Sequence, residues 1–119
     1  MNAQQSCVER PWGRFIILST VHDDNEVVHR QKLLLINPAV QLQLHKHTDY
    51  AELWIGENRF DYTLENDNGE LITKTAQPFD RVFIPKNRKH AIINTHNREL
   101  RVFELQMGVI KDHDNMKYD

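Results

Sequence analysis

Between Gln41 and Trp54 the chain reads QLQLHKHTDYAELW, and its two histidines limit the folds open to everything else. Side chains of an extended strand alternate between faces, so Gln41, Gln43, His45 and His47 point one way and Leu42, Leu44 and Lys46 the other. Two imidazoles two residues apart on one strand face can grip a single metal ion. Glu52 lies just past a short turn at residues 48–51, from which a returning strand can bring its carboxylate to the same ion. A further ligand comes later, in DRVFIPKNRKHAIIN, where an apolar strand ends at Pro85 and His90 opens the next one. Ligands drawn from such distant stretches require strands laid side by side, and imidazole with carboxylate suits several divalent metals.

The rest of the chain supplies those strands. Pro11 and Gly13 break any helix near the start, and residues 15–18 read as a strand after a polar leader at residues 1–8. The acidic turn HDDNE precedes a long strand at 27–36, which Asn37-Pro38 ends. Phe60, Tyr62 and Leu64 alternate with polar residues, and Asn68-Gly69 signals a hairpin into a strand at 71–75. Strands at 82–84, 90–94 and 100–107 bring the expected number to about nine, without a helical period, which favours a closed or two-sheet β-barrel.

At 119 residues the chain reads as one domain, on a scale of ~100–200 residues each. A net charge of −2 with mixed signs leaves no footprint for nucleic acid or membrane. A single Cys7 and no long apolar run point to a reducing cytoplasm. Trp12 and Trp54 are expected to pack in the core, and His22, His29, His96 and His113 to lie at the surface.

Together the two histidine stretches resemble the paired motifs of the cupins, in which His-x-His, a following Glu and a later His bind metal. His45, His47, Glu52 and His90 stand at the ligand positions, with Pro85 and Asn94 in register. Ala39, Arg59, Phe79 and Asn87 occupy the motifs' four glycine positions, and of these only Asn87 readily accepts left-handed backbone angles. The resemblance implies an all-β fold, the cupin double-stranded β-helix or jelly-roll barrel. It implies one divalent metal ion, zinc first, with manganese, iron or nickel as alternatives, and a homodimer formed through sheet edges.

A narrower resemblance runs from residue 9 to about 116. Glu9-Arg10-Pro11-Trp12-Gly13, then Leu42, Leu44, His47, Glu52 and Trp54, and finally Glu104, Gln106 and Gly108 are similar to the cupin domain of type II mannose-6-phosphate isomerases. This implies an isomerase acting between mannose 6-phosphate and fructose 6-phosphate, with Glu104 as the proton-carrying base and Gln106 at the substrate. Tyr50 stands where that family has Arg, and Lys117-Tyr118-Asp119 where it has Tyr-Gly-Arg. The cations of the loop before His90, Lys86, Arg88 and Lys89, are expected at the pocket rim, gripping a sugar phosphate or related anion in place of those arginines. Two other classes fit the same residues: a sugar or small-anion binding module without turnover, and a mononuclear-metal oxygenase.

Overall fold

The computed structural model describes residues 6–111 and 116–118. Among these, eleven strands and no helix form two antiparallel sheets. The six-stranded sheet has the order β1 (Ser6–Arg10), β2 (Gly13–Asp23), β3 (Glu26–Ile36), β10 (Leu100–Gly108), β5 (Tyr50–Gly56), β8 (Arg81–Ile84). The five-stranded sheet runs β11 (Met116–Tyr118), β4 (Leu44–Lys46), β9 (His90–Ile93), β6 (Phe60–Glu65), β7 (Leu71–Ala76). Among the described residues no helix is long and apolar enough to cross a membrane.

The core lies between the inner faces of the two sheets. Phe15, Leu34, Ile36, Trp54, Val82, Ile84 and Val102 come from the larger sheet, and Phe60, Ala76 and Ile92 from the smaller. Period-two alternation decides this packing: in β10, Leu100, Val102, Glu104 and Gln106 are buried, while Arg101 and Phe103 are exposed. The inner face of one strand thus begins apolar, inside the core, and ends polar, where the barrel opens into a cavity.

Two strands lie outside the nine expected. Ser6–Arg10 is a strand paired with β2, Cys7 against Ile16 and Val8 against Phe15, so the part of the expected leader that is described, residues 6–8, belongs to the sheet. Cys7 is exposed on it. Met116–Tyr118 pairs with β4. The turn between β2 and β3 is also tighter than the sequence suggests. Only Asp24 and Asn25 separate the paired Asp23 and Glu26, both with positive φ (49° and 69°), the backbone of a two-residue hairpin that matches strand twist.

Three of the four positions lacking the motif glycine nevertheless keep a left-handed backbone: Ala39 at φ 57°, Phe79 at 65° and Asn87 at 61°. Surrounding hydrogen bonds hold them there. Ala39 N–H donates to the His96 carbonyl (3.0 Å), Phe79 N–H to the Gly56 carbonyl (2.8 Å) and Asn87 N–H to the His47 carbonyl (2.8 Å). The turn shape is therefore set by tertiary bonds, at a cost of about 1–2 kcal/mol for a Cβ-bearing residue in this conformation. Buried Asn94, at the end of β9, works the same way: its amide NH2 donates to the carbonyls of Ile36, Asn37 and Arg98, and its oxygen accepts from His96 N–H.

Phe79→Gly should stabilise the protein by about 0.5–1 kcal/mol, since the side chain is 69% exposed and the strain at φ 65° outweighs the added freedom of the unfolded chain. Gly108→Ala should act oppositely, losing upwards of about 1–3 kcal/mol, because φ is 137° and a Cβ would meet the Asp49 carbonyl at 2.5 Å. Urea midpoints of the two variants against the parent check both signs.

Candidate metal centre

β4 is three residues long, yet its register places His45 directly opposite His90 of β9. His47, one residue beyond the strand, shares the face of His45, and one ligand nitrogen from each of His45, His47 and His90 can be chosen so that all lie within 4.8 Å of one another. Glu52 reaches the group from the opposite sheet. Its Oε2 lies 3.0 Å from His47 Nε2 and its Oε1 3.4 Å from His90 Nε2. His90 and Glu52 are each 1% exposed.

Backbone carbonyls fix which nitrogens face inward. His45 Nδ1 lies 2.8 Å from the Gln43 carbonyl, and His90 Nδ1 lies 2.8 Å from the Arg88 carbonyl. Only a protonated nitrogen can donate to a carbonyl, so each neutral ring presents a bare Nε2 to the centre. His90 Nε2 is buried there without a hydrogen-bond partner. Three imidazoles and a carboxylate, with an orphaned buried lone pair among them, fit a divalent cation; this anchoring of the far ring nitrogen is the usual support for a metal-bound histidine.

The electrostatics agree with that fit. Burial pushes the Glu52 carboxyl up, but the imidazoles of His47 and His90 beside it outweigh that and hold the group well below the ordinary carboxylate range. Burial, helped by neighbouring His90, lowers the His45 imidazole from 6.5 to about 4. Neutral His45 is therefore the form the fold accommodates at neutral pH. The Tyr50 ring stacks on His47 at 4.2 Å.

Trp54, wholly buried in the core, links this group to a second carboxyl. Its indole Nε1–H is shared between Glu52 Oε1 (3.1 Å) and Glu104 Oε2 (3.2 Å). Gln106 Nε2 donates to Glu104 Oε1 at 3.0 Å. Glu104 and Gln106 thus face the interior, and both line a cavity of about 670 Å³ together with His45, His47, Tyr50 and Trp54. Burial first, then the charge of Glu52, raises the Glu104 carboxyl to about 7.

The loop before His90 lies elsewhere. None of Lys86, Arg88 and Lys89 lines the cavity; its cations are Arg10, Arg30, Lys32 and Lys111. The expectation fails because Leu64 pairs with His90 and draws the loop onto the β6–β7 hairpin. There Arg88 bonds the Glu65 carbonyl and the Asp67 carboxylate, and the Lys89 amide donates to Glu65 Oε1. The cations missed by the sequence reading lie on β3, where Arg30, Lys32, Leu34 and Ile36 are spaced two apart and share the inward face. Of the remaining histidines, His22 and His29 are exposed, His96 is half-buried with Nε2 on the Arg59 carbonyl, and His113 lies outside the described residues.

His90→Ala should remove stoichiometric zinc or manganese while the barrel remains folded, as read by elemental analysis and circular dichroism. Acid should destabilise the metal-free protein through His45. The unfolded chain takes that proton near 6.5 and the folded chain near 4, so the contribution is complete above 6.5 and is lost as pH falls from 6.5 toward 4. Urea midpoints across that window should fall more steeply in the parent than in His45→Gln.

A family model described as the C-terminal domain of mannose-6-phosphate isomerase matches residues 1–118. No curated protein matches the chain. Among solved structures, the capsular polysaccharide assembling protein CapF of Staphylococcus aureus superposes over 99% of this chain and 33% of its own, with a TM-score of 0.83 and 14% identity. A protein of Shewanella oneidensis does so over 95% and 78%, with a TM-score of 0.78 and 13% identity. Oxalate decarboxylase of Bacillus subtilis, whose structure was studied for its Mn(II) centres, covers 95% and 30%, with a TM-score of 0.74 and 18% identity. The chain spans about a third of CapF. At these identities the likeness is one of fold, the all-β cupin barrel, while the sequence match over nearly the whole length places the chain in the mannose-6-phosphate isomerase C-terminal family of cupin domains.

Proposed function

We propose that the protein is a metal-dependent sugar-phosphate isomerase that interconverts an aldose phosphate and a ketose phosphate, mannose 6-phosphate and fructose 6-phosphate being the pair suggested by the family's name. The observation that carries this reading is the placement of Glu104, a buried carboxyl raised to about 7, in the same cavity as His45 and His47. A divalent ion held by His45, His47, His90 and Glu52 would supply polarisation of a sugar carbonyl and its neighbouring hydroxyl.

The remaining chemistry belongs to side chains. Moving a carbonyl to the neighbouring carbon requires a group that takes a proton from that carbon and returns it to the other, while the hydroxyl proton passes between the two oxygens. With its pKa near 7, Glu104 exists at neutral pH in both the accepting and the donating form. Trp54 and Gln106 each donate one hydrogen bond to it, which orients the carboxyl and leaves a lone pair on each oxygen open. Trp54, Phe15 and Leu34 give the cavity an apolar wall beside Glu104.

Binding without turnover is the second reading, and Tyr50 favours it. Its ring stacks on His47 at 4.2 Å, at the position where the type II isomerases carry Arg.

Metal-loaded protein incubated with mannose 6-phosphate in deuterated water should yield fructose 6-phosphate and carry solvent deuterium into the sugar. Turnover should rise with pH through about 7, as Glu104 loses its proton and becomes the base. Glu104→Gln should lower kcat by about 10²–10⁴-fold with metal still bound. Full turnover in that variant would remove Glu104 from the mechanism, and tight binding of the sugar phosphate without deuterium uptake by the parent would favour the second reading.

A further inference from the structure

The inner face of the six-stranded sheet carries charge in an order that proton transfer at Glu104 does not explain. Cross-strand partners from β2 to β8 form one row of Ile17, Lys32, Glu104, Trp54 and Val82, and a second of Thr20, Arg30, Gln106, Glu52 and Ile84. β3 therefore brings two cations to one side of the cavity, and β5 places Glu52, in contact with the cavity-lining His47, two strands away. Gln106 and Glu104 lie between them on β10. Neighbouring strands are ~4.8 Å apart, so the cationic strand and the Glu52 strand are separated by about 10 Å.

Two further observations point to a ligand. Lys32 Nζ sits 4.2 Å over the Phe15 ring and makes no close ion pair among the described residues, its charge acting on Glu104, its partner in register, from beyond contact distance. Its charge is offered to the cavity from an aromatic rest. Gln106, 3% exposed, has its Nε2 committed to Glu104, while its Oε1 is buried at the cavity wall without any hydrogen-bond partner. A buried amide oxygen with no donor is a costly arrangement that a ligand hydroxyl would relieve.

We propose that this side of the cavity is an anion subsite, in which Arg30 and Lys32 hold the phosphate or carboxylate of an elongated substrate and Gln106 Oε1 accepts a hydrogen bond from a hydroxyl between that group and the histidine cluster. The spacing selects the ligand class. The charged group must lie several bonds from the oxygens that meet the histidines, as at the far end of a six-carbon sugar phosphate or uronic acid. A compact dianion such as oxalate cannot reach both ends. The assignment rests on the proposal that the reacting end of the substrate lies at the histidine cluster, and adds where its charge goes.

Calorimetric titration of protein loaded with zinc or manganese tests this, using a hexose 6-phosphate, a uronic acid, the plain hexose, oxalate and inorganic phosphate. The 6-phosphate or the uronic acid should bind at least tenfold more tightly than the plain hexose, and which of them does identifies the anion. Lys32→Met, which keeps an apolar stem against Phe15, and Arg30→Gln should each erase most of that preference with metal content unchanged. Gln106→Leu should weaken the hexose phosphate and leave inorganic phosphate alone. Loss of Lys32-dependent anion binding would be expected even in a protein that shows no isomerisation, in which case the isomerase reading falls and the subsite stands. Isomerisation with anion affinities unaltered in both β3 variants overturns the subsite and spares the isomerase reading. Absence of binding by every anion, or tighter binding of oxalate than of the 6-phosphate, also overturns it.

Discussion

The carboxylate of Glu52 is the constraint around which the barrel is arranged. It is 1% exposed and points from the larger sheet toward the smaller, where a lone negative charge would be strongly destabilising. Its partners come from three places in the chain: His47 after β4, His90 at the start of β9 and the Trp54 indole two residues along its own strand. His90 and Trp54 each sit in register with a residue that also lines the cavity, His45 and Glu104. A one-residue slip of β5 would turn Glu52 and Trp54 outward together and bring Ala51, Leu53 and Ile55 inside. The charged centre and the hydrophobic core therefore enforce the same register.

A division along the strands follows from this. In β10 the buried positions pass from Leu100 and Val102 to Glu104 and Gln106, and in β3 the inward face passes from Ile36 and Leu34 to Lys32 and Arg30. The two strands are antiparallel, so their polar ends coincide, Glu104 against Lys32 and Gln106 against Arg30. One end of the barrel is apolar and holds the molecule together, while the other presents titratable groups to a cavity. Glu104 is raised to about 7 because it lies at this boundary, buried enough to resist ionisation and near enough to Glu52 to be repelled by it.

Much of this was legible in the chain because strand alternation and ligand spacing are local rules. His45 and His47 share a face for that reason, and the strands at 60–65 and 71–76 followed from alternation and the Asn68-Gly69 turn. What the sequence hid was tertiary. Alternation put Glu104 and Gln106 on one face but could not say that the face was inward. The left-handed backbone at Ala39 and Phe79 has no local signature, since hydrogen bonds from elsewhere impose it. Lys86, Arg88 and Lys89 precede His90, yet the hairpin beside them turned the loop away, while Arg30 and Lys32 reached the cavity from a strand that offered only its alternation as a sign. Ser6–Arg10 was hidden by its polarity, because an edge strand needs little apolar surface.

Anomalous diffraction from a crystal of the protein loaded with zinc or manganese tests the central claim most directly. The account predicts one strong peak bound by Nε2 of His45 and His90, a nitrogen of His47 and the Glu52 carboxylate, at roughly 2.0–2.2 Å in the zinc form. A peak coordinated by any other set of residues, or a fully loaded crystal in which Glu52 remains hydrogen-bonded to His47 with no ion beside it, would contradict it.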